Sequence, residues 1–236
     1  MRVGRQLLVW TLMIVAVSLV AGCARFVPPS ATSIPPAAAE QSAVPTSTNL
    51  GTVEVSSYKG KPLDTVASEP ENSIKGPQDI ERSAYRLSVT GKVVKPLELT
   101  YAQVRAMPSF QKVTTLNCVE GWSKTYLWQG VRIRDLLEKA GYSQDAKTVI
   151  FTSYDGYSTS LPLDYVVSRN LLLAYAMNGR EIPPERGFPF QVVAEDRLGY
   201  KWAKWVTGIE VSDDANYRGY WEQRGYDNGA ALPGGK

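Results

Sequence analysis

Thr114-Thr115-Leu116-Asn117-Cys118-Val119-Glu120-Gly121-Trp122-Ser123 places one cysteine between a β-patterned run and a Gly-Trp-Ser turn. Residues 111–116 read as the strand that delivers it. The chain has only two cysteines, and the other, Cys23, closes an N-terminal leader. Structural disulfides come in pairs, so an unpaired thiol at a strand-to-loop boundary needs another role. It can be a buried hydrophobe, a nucleophile or a metal ligand.

Composition narrows the choice. The 236 residues contain no histidine. That removes a Ser-His-Asp triad, a histidine-activated cysteine nucleophile, His-ligated zinc and His-ligated haem together. A disulfide-exchange role usually needs a resolving cysteine, and none remains. What is left is a soft ligand to a metal held mainly by an organic cofactor. The formal net charge is +3, of which Arg2 and Arg5 of the leader supply two. So even a balance gives no reason to invoke nucleic acid.

On the N-terminal side, residues 1–23 read as a lipoprotein signal peptide. Arg2 and Arg5 precede an apolar run over residues 7–20, which falls short of the roughly 20 residues of a comfortable membrane span. The run ends in Val20-Ala21-Gly22-Cys23, which looks like a bacterial lipoprotein box with Cys23 as the lipidated residue. Residues 24–75 read as an extended tether rich in Pro, Ala, Ser and Thr, because so little apolar surface cannot offset the cost of ordering. The chain is then exported and held to the outer face of a membrane in the bacterial cell envelope by its N-terminal lipid.

The folded part spans 76–236. Alternation over residues 85–91 predicts a half-buried strand. Thr100 and Gln103 form a capping box for a short helix that Pro108 stops. Ile133, Leu136, Leu137 and Ala140 share one face of a helix ending at Gly141. Further strands are predicted over 148–153, 157–161, 171–177, 190–194 and 205–211, with turns at Asp155-Gly156 and Asn178-Gly179. Strands joined by short helices without a βαβ rhythm predict an α+β fold with a mixed sheet.

The stretch around Cys118 resembles the cysteine motif of the molybdopterin-binding oxidoreductases of the sulfite oxidase superfamily, and most closely their bacterial exported, methionine-sulfoxide reductase branch. The likeness continues in order. Trp128-Gln129-Gly130-Val131, with Leu136-Leu137, matches the helix after the motif. Then come Asp155-Gly156-Tyr157, Leu173 to Gly179, Gly187-Phe188-Pro189, Gly199 to Trp205 and Gly219-Tyr220-Trp221-Glu222. The resemblance implies a molybdenum centre with one molybdopterin, and Cys118 thiolate as the single protein ligand to the metal. It implies cofactor contacts from Asn117, Ser153, Arg186, Gln191 and Trp202-Ala203-Lys204, with Lys204 on the cofactor phosphate. Trp122 and Trp221 would line the metal's mouth beside the catalytic Cys118, with Tyr226 a further candidate.

Each of these residues has an ordinary alternative. Asn117 can bond its own loop, Ser153 can be a strand-end serine, and Arg186 and Lys204 can be solvated charges. Glu120 can be an acceptor beside the cysteine or a solvated carboxylate. Aromatic residues at such positions often only pack. Gln191 stands where the sulfoxide-reductase branch carries an arginine. Val-Glu-Gly-Trp after the cysteine suits a neutral substrate better than an anion such as sulfite.

The implied activity is two-electron oxygen-atom transfer on a small molecule of the sulfoxide class. Electrons would pass through a separate haem-bearing or quinone-linked membrane protein. The alternative is a scaffold lipoprotein that keeps the fold without the cofactor. Its support is Gln191 and the leader, in which Arg2 and Arg5 do not form the adjacent pair of a twin-arginine signal.

Overall fold

The computed structural model describes Ala43–Val44 and residues 50–232. The expected signal peptide, Cys23 and most of the expected tether up to residue 49 lie outside the described residues. In chain order the strands and helices are β1 (Ala43–Val44), β2 (Ser57–Tyr58), β3 (Lys61–Pro62), β4 (Arg86–Gly91), β5 (Leu97–Thr100), α1 (Tyr101–Arg105), β6 (Ser109–Asn117) and β7 (Ser123–Arg132). They continue with α2 (Ile133–Ala140), β8 (Thr148–Ser153), β9 (Ser158–Pro162), α3 (Leu163–Ser168), β10 (Leu172–Met177), β11 (Arg180–Glu181), β12 (Gln191–Val193) and β13 (Val206–Ser212).

Two main sheets carry the fold. One runs β1-β6-β7-β10-β11 with β12 beside β10, every pairing antiparallel. The other runs β5-β4-β13-β8-β9 and is mixed, because β13 lies parallel to β4 and antiparallel to β8. Short helices between strands of mixed direction make this an α+β fold. A single hydrophobic cluster joins Leu87, Val89, Leu136, Leu137, Phe151, Trp128 and Ile209 across both sheets and α2. Among the described residues no helix is long and apolar enough to cross a membrane.

Local chemistry accounts for the ends of elements. The Thr100 side chain accepts from the Gln103 amide, and the Gln103 side chain accepts from the Thr100 amide, closing the capping box of α1. α2 ends at Gly141 in the left-handed region, φ 68. β6 and β7 form a hairpin paired from Ser109↔Val131 to Asn117↔Ser123, so its tip is the five residues 118–122. At that tip Cys118 N–H donates to the Trp122 carbonyl at 2.9 Å, and Gly121 adopts φ 89.

Three expectations change. Residues 128–131, expected to match the helix after the motif, are instead the end of β7, which is buried from Tyr126 to Val131, and α2 starts directly after that strand at Ile133. A strand buried on both faces has no alternation to read. Gly130 permits its close approach to β10, since a Cβ there would stand 2.2 Å from the Leu173 carbonyl oxygen. Second, helix α3 follows Pro162 where no helix was predicted.

Third, the expected tether does not run to residue 75. From Leu50 onward the chain lies against the domain. Val55 N–H donates to the Asn178 carbonyl at 3.0 Å. Glu54 accepts from the Asn178 side-chain amide and from Val66 N–H, both at 2.7 Å. Asp64 accepts from Thr125 N–H at 2.8 Å and returns its own N–H to the Thr125 carbonyl at 2.9 Å. This segment is held by carboxylates and backbone hydrogen bonds, so its poor apolar content was the wrong gauge.

Candidate active site

The hairpin tip opens on a cavity of about 780 Å³ counting its open mouth. Five stretches build its wall: residues 72–74, the tip residues Cys118 to Glu120, Asp155 and Tyr157 of the β8–β9 turn, Gly199 and Tyr200 with residues 202–205, and Trp221 with Tyr226. Gly199 backs the cysteine, since a Cβ there would meet the Asn117 carbonyl at 3.4 Å and Cys118 Cα at 3.6 Å.

Cys118 is a free thiol, 8% exposed. Its Sγ lies 3.6 Å from the donating Asn72 Nδ2 and 3.6 Å from Glu120 Oε2. Burial pushes the thiol pKa up, and the neighbouring Glu120 charge adds to that. A lone protonated thiol is a poor nucleophile, whereas a bound metal ion would deprotonate it outright. Among the described residues no group of three or more His, Cys, Asp or Glu side chains could hold a metal by itself. A thiol in that setting suits a metal that brings its own donors.

Glu120 also accepts from Trp122 Nε1 at 2.9 Å. It is an acceptor that organises the tip, although it faces solvent as well.

Across the cavity, Lys204 is no surface amine. Its side chain is 11% exposed, and its Nζ lies 3.3 Å from Glu71 Oε1 and 3.4 Å from Oε2. Burial pushes its pKa down, against the opposing pull of Glu71 and Glu69. Burial also acts to raise the Glu71 carboxyl, but hydrogen bonds from Ser73 and the Lys204 charge outweigh it and leave that pKa lowered. Trp202 and Ala203 line the same wall, with Trp202 Nε1 donating to the Arg197 carbonyl at 3.0 Å.

The aromatic wall is built on a buried ion pair. Lys201 and Glu222 are both 0% exposed and bonded to each other. Lys201 Nζ also donates to the Ser160 carbonyl and to Asn228 Oδ1, each at 3.0 Å, and Thr159 Oγ1 donates to Glu222 Oε1 at 2.6 Å. Trp221 precedes Glu222 and packs against Tyr226 with ring centroids 5.1 Å apart.

Several expected contacts lie elsewhere. Asn117 closes the hairpin neck, accepting from Ser123 Oγ at 2.7 Å and donating to the Thr115 carbonyl at 3.3 Å. Trp122 packs half-buried against the core, outside the cavity wall. Gln191 is buried in β12 opposite Ala174. Ser153 ends β8 behind the Asp155 turn, with a buried Oγ that has no hydrogen-bond partner. Arg186 is neither a surface charge nor part of the wall. It donates to the Glu69 and Pro70 carbonyls and stands 3.7 Å from Glu69 Oε1 and 3.9 Å from Glu71 Oε2. Cys118, Trp202, Ala203, Lys204, Trp221 and Tyr226 do share the cavity.

Asn72, Glu71 and Tyr157 were missed as site residues. The first two fall inside the expected tether, where no periodicity points to them. Tyr157 follows the Asp155-Gly156 turn, and that turn was the available signal.

Comparison with known proteins is consistent with this geometry. Residues 74–221 match the family model described as oxidoreductase molybdopterin binding domain. YuiH of Bacillus subtilis (strain 168), described as an uncharacterized oxidoreductase, is 40% identical over 147 residues, covering 62% of this chain and 74% of that protein. The putative protein-methionine-sulfoxide reductase subunit YedZ1 of Azospira oryzae is 32% identical over 150 residues, covering 64% of this chain and 57% of that one. Sulfite oxidase of Gallus gallus is 31% identical over 178 residues, or 62% of this chain and 39% of its own length. Among solved structures, the sulfane dehydrogenase SoxCD from Paracoccus pantotrophus superposes with a TM-score of 0.57 at 24% identity, covering 60% of this chain and 41% of that one, a likeness of fold alone.

Proposed function

The chain belongs to the oxidoreductase molybdopterin-binding domain family, and from that premise we propose an exported, lipid-anchored oxygen-atom transferase in which Cys118 thiolate is the protein's ligand to molybdenum. The chain is a molybdopterin-dependent oxidoreductase of the sulfite oxidase superfamily. The observation that carries the finer reading is the cavity itself, which presents the Cys118 thiol and the Lys204 ammonium on one wall system.

The donor set fits the group. A soft sulfur without protein co-ligands suits a metal that arrives with its own chelator. Lys204 offers a desolvated point charge for a phosphate. The bound cofactor supplies the two-electron chemistry.

This chain's residues do the rest. Asn72 Nδ2 donates toward Sγ, and Trp221, Tyr226 and Tyr157 narrow the access. Lys204 is the only cation among the described residues lining the cavity, while Glu120 and Asp155 are both acidic. An anion such as sulfite is disfavoured at that mouth and a neutral sulfoxide is not. The relative YedZ1 is described as a sulfoxide reductase subunit, which supports electron exchange with a separate redox protein.

The test is Cys118→Ser, with molybdenum and pterin content, circular dichroism and sulfoxide reduction measured together. The expected outcome is an intact fold, lost turnover, and one sulfur neighbour fewer at the metal by X-ray absorption. Retained turnover, or an unchanged sulfur count, contradicts the assignment.

A further inference from the structure

The ammonium assigned to the cofactor's phosphate already holds an anion of this chain. Glu71 presents both carboxylate oxygens to Lys204 Nζ, at 3.3 and 3.4 Å. The carboxylate is aimed by its surroundings. Ser73 N–H donates to Glu71 Oε1 at 2.7 Å, and Arg186 Nη1 stands 3.9 Å from Oε2. The same guanidinium holds the Glu69 and Pro70 carbonyls, which fixes the backbone where the carboxylate enters. The next residue, Asn72, reaches the thiol at 3.6 Å. Residues 71 and 72 thus address the two groups on which cofactor binding is proposed to depend, Lys204 and Cys118.

A carboxylate and a phosphate compete for one ammonium, because both are oxygen anions and Lys204 brings a single charge. Placed side by side in a partly dehydrated site, they also repel. Glu71 is able to leave. Its side chain is 32% exposed, so a rotation that gives up the Ser73 N–H and the 3.9 Å approach of Arg186 returns the carboxylate to water, while the Arg186 bonds to the Glu69 and Pro70 carbonyls stay behind.

We propose that Glu71 is a self-supplied anion occupying the phosphate position on Lys204, so that cofactor uptake is an exchange in which phosphate displaces carboxylate. This rests on the reading of Lys204 given above. The exchange stabilises the empty protein and weakens uptake by the same interaction.

The experiment uses the full chain made in cells unable to synthesise the cofactor, then titrated with molybdopterin and followed by pterin fluorescence. Glu71→Gln keeps the shape and removes the charge. Uptake should tighten by about two- to fivefold, the range for a partly exposed carboxylate–ammonium pair. The melting temperature of the empty form should fall while that of the loaded form stays put. Unchanged or weaker uptake overturns the proposal, as does an equal fall in both melting temperatures, because Glu71 would then still be paired in the loaded form. Lys204→Ala separates the two readings. If that variant takes up cofactor like the wild type, the phosphate assignment itself fails. If it weakens uptake while Glu71→Gln does not tighten it, only the exchange fails.

Discussion

Removing the charge of Lys201 should destabilise the domain strongly. Lys201→Met keeps a long unbranched stem in a site with no exposure and strands the Glu222 carboxylate, also fully buried. The Ser160 carbonyl and Asn228 Oδ1 lose a donor at the same time. Burial by itself already pushes the Lys201 pKa down, against the pull of Glu222, so desolvation and pairing oppose each other here. Breaking such a pair from one side costs about 3–5 kcal/mol, because one charge stays buried without its partner. At roughly 2–4 °C per kcal/mol for a domain of this size, the melting temperature should drop by about 6–20 °C. Lys201→Met combined with Glu222→Leu should recover much of that loss, since no charge is left buried. The assay is urea unfolding of the single and double variants with cofactor retention measured alongside. A single-variant loss below about 1 kcal/mol would refute the reasoning, as would a double variant no more stable than the single.

Two more outcomes follow from the same geometry. Gly219→Ala would place a Cβ 2.2 Å from the Ser158 carbonyl oxygen and 2.6 Å from Thr159 Cα, both backbone. It should destabilise by about 1–3 kcal/mol in urea and shift Trp221 enough to lower pterin content, whereas unchanged pterin content would detach Trp221 from that contact. In the cofactor-free protein the raised Cys118 pKa leaves less thiolate at pH 8 than an ordinary cysteine has. Alkylation by iodoacetamide should therefore be slower than that of glutathione at pH 8 and still climbing above about pH 9; full speed at pH 7 would show a lowered pKa instead.

Local signals read true where one physical cause acts nearby. The capping box at Thr100 and Gln103 and the αL glycine at Gly141 mark the ends of α1 and α2 as expected. The alternation over 85–91 becomes β4. What the sequence withholds is anything set by distant partners. β7 is buried on both faces and carries no period. The parallel pairing of β13 with β4 joins segments more than a hundred residues apart. At the site, neighbours in sequence part company in space: Cys118 turns into the cavity while Asn117, one position earlier, bonds across the hairpin neck.

The boundary of the domain makes the same point for function. The family match begins at residue 74, and composition set the folded part at 76. Contacts place the boundary earlier, because Glu54, Asp64 and Glu69 are bonded to β7, the Asn178 turn and Arg186. Glu69 is buried, and so are Arg186 and Asn178, the partners of Glu69 and Glu54. Residues 50–73 are thus part of the folded unit although only Leu50 and Val66 among them pack an apolar side chain against its core. Through Glu71 and Asn72 they also put an anion on Lys204 and a donor on Cys118. The chemistry of the cavity is accordingly completed by a stretch that neither the hydrophobic pattern nor the family match includes.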